Sequence, residues 1–160
     1  MTQFAQAFGS KFNKDDLRVR NFEMNGHTFK VKVPLTIEFE AMNERMKKAD
    51  SEKIDKYYAE LTKGFLDHKE EFPEELGIVF EENDILIQGR SMKEAAENKA
   101  VTEARIVELF KLLVPEEKGF DMATITYDMI EELFPFSIQM EIIEKISDAI
   151  SPTYKDSRGK

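Results

Sequence analysis

Asn25-Gly26 is the feature that most restricts how this chain can fold. Both residues tolerate positive φ, which a two-residue type I′ hairpin turn demands. The runs on either side, Arg18 to Met24 and His27 to Val33, read as its two strands. In the second, Phe29, Val31 and Val33 alternate with Lys30 and Lys32, the period-two pattern of a half-buried strand. Two strands alone are marginal in water, so the hairpin must pack on helices or gain a strand from elsewhere. Pro34 ends it.

Helical spacing dominates after Pro34. Thr36 is placed to cap a helix over Ile37 to Ala49, with Phe39, Met42 and Met46 on one face. Ser51 is placed to cap a second, Glu52 to Glu71, whose stripe is Ile54, Tyr57, Tyr58, Leu61, Phe65 and Leu66. Ser91-Met92-Lys93-Glu94 is a capping box. It opens a long helix, Met92 to Val114, apolar on most sides of its second half and closed by Pro115. Thr126 caps a short helix, Tyr127 to Phe134, and Ser137 caps the last, Ile138 to Ile150. The runs Leu76 to Phe80 and Ile85 to Ile87 fit either a short β element over 76–88 or helical turns flanking a loop. The expected fold is mainly α with a small N-terminal β-hairpin (α+β), its helices forming a bundle of about five. The chain is read as a single domain over residues 1–160. It comprises an arm (1–16), the hairpin (17–34), a helical region (35–150) and a polar tail (151–160).

Charge is unevenly placed. The net charge of the 160 residues is −9. Residues 1–33 hold six Lys/Arg against three acids, and residues 34–160 hold 17 against 29. The average field repels nucleic-acid phosphate and anionic membrane surfaces. The basic beginning is suited to pairing with the acidic remainder of its own or a neighbouring chain. No run reaches the roughly 18 apolar residues of a membrane span, and a secretory signal pattern is missing, so a cytoplasmic location is expected.

Chemistry-bearing constellations are scarce. Without cysteine there is no disulfide, zinc ribbon or thiol nucleophile. The two histidines, His27 and His68, stand in no metal or triad motif and read as ordinary surface residues. Residues 70–84 carry seven acids and no base, but not in the order of a calcium loop. The seven glycines are scattered and build no phosphate loop. The expectation is therefore a chain that is not an enzyme and needs no metal and no cofactor.

Apolar surface is what remains. Phe4, Phe8 and Phe12 recur every four residues, one face of a helix that Gly9 would weaken by about 1 kcal/mol. These rings either tuck onto the core or form a docking stripe. The segment behind Ile125 offers Ile130, Leu133, Phe134, Phe136 and Met140 along with the isoleucines of the last helix, more than one face of two short helices needs. Either all of it is core or the surplus is a groove for a partner helix. Eight methionines suit adaptable binding.

Two blocks carry a family resemblance. One is His27-Thr28-Phe29-Lys30-Val31-Lys32-Val33 with Pro34-Leu35-Thr36 leading into a helix. The other is Glu103-Ala104-Arg105-Ile106-Val107-Glu108-Leu109-Phe110 with the Pro135-containing helical pair behind it. With these the chain resembles the tail assembly chaperones of long-tailed bacteriophages, in layout over most of its length. The resemblance implies a small, acidic, helical protein of the host cytoplasm, absent from the finished virion. Its partners would be the tape measure protein and the tail tube protein, and it would form a homo-oligomer. Many members also have a form lengthened by frameshifting near the end of the reading frame, and a slippery codon run can encode Gly159-Lys160. The alternative is a small acidic phage inhibitor that mimics nucleic acid and acts on a host DNA-handling or defence enzyme.

Overall fold

The computed structural model describes residues 3–48, 50–67 and 77–151. His68, the first four acids of the 70–84 run and all but the first residue of the 151–160 tail lie outside the described residues. The chain divides into two compact units, Met1–Glu40 with Ile106–Lys160, and Ala41–Arg105.

The first unit begins with α1 (Gln3–Gln6) and a single 3-10 turn at Asp16–Arg18. Strands β1 (Val19–Met24) and β2 (His27–Lys32) then pair antiparallel, with Val19 opposite Lys32 and Met24 opposite His27. Asn25 and Gly26 turn between them at φ of 52° and 83°, the left-handed values a right-twisted hairpin needs. Phe22 and Phe29 face each other across the strands with ring centres 5.0 Å apart. The helix expected to run to Val114 stops at Phe110. Leu113–Val114 instead form a strand that pairs with Lys30 and Val31 of β2. Val114 precedes Pro115, which disfavours helical backbone there, and the open edge of β2 offers the freed amides partners. Lys32 N–H accordingly donates to Leu112 O at 2.8 Å.

Arg18 ties the end of the hairpin to the next helix, α2 (Thr36–Lys47). Its Nε donates to Val33 O at 2.9 Å, and its guanidinium pairs with Glu38. Thr36 lies inside the helix and is not its cap. Glu38 reaches back to accept from Leu35 N–H at 2.9 Å, half of a capping box. That N–H outweighs desolvation, Arg18 adds to it, and the Glu38 carboxyl sits below its usual pKa.

The second unit holds α3 (Ser51–Asp67), then β3 (Ile78–Phe80), β4 (Ile85–Ile87) and β5 (Arg90–Ser91) in a three-stranded antiparallel sheet. Ile78–Phe80 and Ile85–Ile87 are thus strands, and Leu76 lies outside the described residues. Next comes α4 (Met92–Phe110), whose last turn belongs to the first unit. Asp50, not Ser51, caps α3 by accepting from Glu52 N–H at 3.0 Å. The buried face of α3 is offset from the expected stripe, since Leu61 is exposed and Thr62 is fully buried. Thr62 tolerates this because its hydroxyl donates to Tyr58 O at 2.7 Å. Tyr57 donates to the buried Glu103 carboxylate and carries the Lys99 ammonium 4.2 Å above its ring, so α3 is latched to α4 by polar contacts.

Asp84 organises the turn from sheet to α4. It accepts from Ile85 N–H at 2.8 Å, from Lys93 N–H at 3.0 Å and from the Ser91 hydroxyl, while Ser91 caps Glu94 N–H at 3.0 Å. Desolvation alone would raise the Asp84 pKa. The Ser91 hydroxyl and the two N–H groups outweigh it and hold the carboxyl below its usual value. A carboxyl lowered in the folded state contributes stability above its unfolded pKa, about 4, and that contribution is lost as pH falls through the folded value. Asp84→Asn should therefore flatten the loss of urea-unfolding midpoint on acidification below about pH 4. An acid limb as steep as in the unsubstituted chain would show that the stabilisation lies elsewhere.

After β6 (Leu113–Val114) and a 3-10 turn at Met122–Thr124 the first unit is completed by α5 (Tyr127–Leu133) and α6 (Phe136–Ile150). β6 joins the opposite edge of β2 from β1, and α6 packs on β1 and β2. Val31, Ile142, Ile143 and Ile146 are buried, as are Ile106, Leu109 and Phe110 in the last turn of α4. Among the described residues there are five helices of seven residues or more, as expected in number, but they are not a pure bundle. The fold is mixed α+β, with two small antiparallel sheets of three strands each.

Candidate partner-binding surface

The α5–α6 corner is shaped by one proline and one glutamine. Thr126 caps α5, its hydroxyl accepting from Met129 N–H at 3.3 Å. Phe134 is extended, at φ −130° and ψ 127°, as the residue before a proline prefers. Pro135, not Ser137, is the N-cap of α6 and makes no side-chain cap bond. Behind the corner lies Gln139, fully buried. It accepts from the Tyr127 hydroxyl at 2.9 Å and donates to Phe134 O at 2.8 Å. A buried amide with both ends satisfied fixes where the two helices turn.

The corner separates the apolar residues singled out in the sequence. Ile130 is buried and contributes to packing. Phe134 and Met140 are half-buried, and Phe134 leans toward Phe110, with ring centres 6.0 Å apart. Leu133 and Phe136 face outward, 75% and 56% exposed. Met129, one turn before Leu133 on α5, joins them at 38%. Its i, i+4 relation to Leu133 was readable in the sequence, but its exposure depends on which face of α5 Ile130 and Tyr127 bury.

Carboxylates are frequent on these two helices. Over residues 126–150, Asp128, Glu131, Glu132, Glu141, Glu144 and Asp148 oppose the single Lys145, and all six acids are exposed. Glu131 and Glu132 occupy the last turn of α5, where the helix dipole disfavours negative charge. Among the described residues no cation pairs with either.

The arm presents a second surface. Phe4 and Phe8 are 76% and 57% exposed and Phe12 is half-buried. Their rings follow one another at 5.3 Å and 4.9 Å. The helix that would align them lasts only from Gln3 to Gln6. Gly9, at φ +100°, turns the backbone through the left-handed region.

A pocket of about 200 Å³ in the same unit lies between the start of β2 and the chain leaving β6, lined by His27, Phe29, Lys30, Val114, Pro115 and Met122 among others. His27 Nε2 stands 3.9 Å from Glu116 Oε1 beside it. One histidine with one exposed carboxylate supplies neither a nucleophile nor an oxyanion site. Among the described residues, no group of three or more His, Cys, Asp or Glu side chains could hold a metal ion, and no helix is long and apolar enough to cross a membrane. No protein-family model, curated protein or solved structure matches the chain.

Proposed function

We propose that the protein holds an apolar helical segment of another protein, without catalysis, and that it is a phage tail assembly chaperone whose client is the tape measure protein. The observation that supports this best is the α5–α6 corner, where Leu133 and Phe136 stand 75% and 56% exposed on a chain of net charge −9. Exposed large apolar side chains on carboxylate-rich helices cover a client's apolar face while the charge keeps the complex in solution. Such a chaperone acts in the host cytoplasm, helps recruit tail tube subunits and leaves before the tail is finished.

Co-expression tests this. A tape measure fragment should be recovered soluble with the intact protein and insoluble with a Leu133→Ser/Phe136→Ser variant of unchanged circular dichroism. Equal recovery of the fragment with and without the protein sinks the proposal. The competing reading, a nucleic-acid mimic, draws on the same carboxylates. It requires a continuous acidic face, which the exposed leucine and phenylalanine interrupt. Tight, salt-sensitive binding to a DNA-handling enzyme, unaffected by the serine variant, would favour it instead.

A further inference from the structure

We infer that the 3–14 arm of one copy docks on the α5–α6 corner of a second copy, so that the protein associates with itself through two unlike surfaces. Both surfaces belong to the same unit, yet Phe4, Phe8, Leu133 and Phe136 are each more than half exposed. Neither surface is therefore covered by the other within one chain.

Their charges are opposite. Lys11 and Lys14 flank Phe12, are exposed, and have no carboxylate partner among the described residues, while Asp15, next along the chain, is paired with Lys32 at 3.7 Å. Asp128, Glu131 and Glu132 are equally exposed and unpaired. They are spaced i, i+3 and i, i+4 on α5, so like charges crowd one side of a short helix. An incoming lysine relieves that crowding and the unfavourable dipole at the end of α5 together. Corner against corner would bring carboxylates together, whereas arm against corner sets the exposed Lys11 and Lys14 against the exposed Asp128, Glu131 and Glu132.

The dimensions agree as well. Phe4, Phe8 and Phe12 form a ridge of rings at steps of 5.3 Å and 4.9 Å. Met129 and Leu133 are separated by about 6 Å of helix rise, with Phe136 beyond the Pro135 turn. A contact between unlike surfaces closes into a two-fold dimer when two copies exchange arms, and otherwise builds rings or open chains.

Sedimentation equilibrium on the full chain tests this without any client, so its outcome is independent of the chaperone proposal. Two variants are needed, Phe4→Ser/Phe8→Ser and Leu133→Ser/Phe136→Ser, each at exposed positions and checked by circular dichroism. The unsubstituted protein should exceed its monomer mass of 18.6 kDa with rising concentration. Its association should weaken about tenfold between low and high salt. Each variant alone should associate at least ~100-fold more weakly. An equimolar mixture should recover a one-to-one complex, because one variant keeps the corner and the other keeps the arm. An unsubstituted protein that stays monomeric into the millimolar range, a variant that associates undiminished, or a mixture that stays monomeric overturns the inference.

Discussion

Replacing Gln139 by leucine should destabilise the protein by about 2–4 kcal/mol, although the side chains are similar in size and the site is fully buried. An apolar residue in an apolar core would ordinarily be tolerated. Here Gln139 is the acceptor for the Tyr127 hydroxyl and the donor to Phe134 O. Losing it forfeits both bonds and leaves the Phe134 carbonyl without that donor behind the Pro135 turn, each such loss costing roughly 1–3 kcal/mol. Tyr127→Phe removes the Tyr127–Gln139 bond but leaves the bond from Gln139 to Phe134 O in place, and should cost less, about 1 kcal/mol. In the double variant the two costs should be less than additive, because the Tyr127–Gln139 bond is counted once. Urea unfolding of the four proteins measures this. Strict additivity would show that the two side chains act independently. Because Gln139 also sets the angle at which Leu133 and Phe136 are presented, Gln139→Leu should weaken self-association even where the protein remains folded.

Glu131→Lys/Glu132→Lys should move stability and association in opposite directions. Reversing two charges in the last turn of α5 exchanges an unfavourable interaction with the helix dipole for a favourable one, at about 0.3–1 kcal/mol per site. Two sites together give about 0.6–2 kcal/mol, which for a chain of this length is a rise of roughly 1–8 °C in Tm. The same change removes the attraction for Lys11 and Lys14 of a second copy and should weaken association by about tenfold or more. Calorimetry and sedimentation on the same sample decide it. A lower Tm, or association unchanged at low salt, contradicts the role assigned to these carboxylates. Acids kept where they cost stability are what a binding surface for cations requires.

Much of the fold was legible where one local rule acted alone. Asn25-Gly26 specified its turn, and Thr126 and Ser91 their caps. Legibility failed where tertiary contacts decided. Leu113 and Val114 continue a helical pattern, and only the open edge of β2, more than eighty residues away in sequence, makes them a strand. Gln88-Gly89 turns between β4 and β5 with φ of 50° and 80°, the same chemistry as Asn25-Gly26 but with a residue that seldom signals it. Ser51 and Ser137 were plausible caps displaced by neighbours, Asp50 and Pro135, able to serve the same amides or backbone geometry. For the candidate surface, composition disclosed an apolar surplus behind Ile125. It could not apportion that surplus, because Ile130, Leu133 and Phe136 differ only in which way the corner turns them. That direction is set by Gln139, a polar residue no hydrophobic pattern would select.

The division of the first unit between two stretches of chain has a consequence for synthesis. Residues 41–105 make up a complete unit of their own and lie between the hairpin and everything that covers it. As the chain leaves the ribosome, β1 and β2 can close within microseconds through their own turn. β6 and α6 do not exist until the intervening segment has been made, several seconds later at ordinary rates of translation. For that interval the hairpin has no third strand and no α6 packed on it, while the second unit lacks only the last turn of α4, which belongs to the first. Folding order is thus imposed by connectivity: the middle of the chain matures first, and its beginning waits for its end.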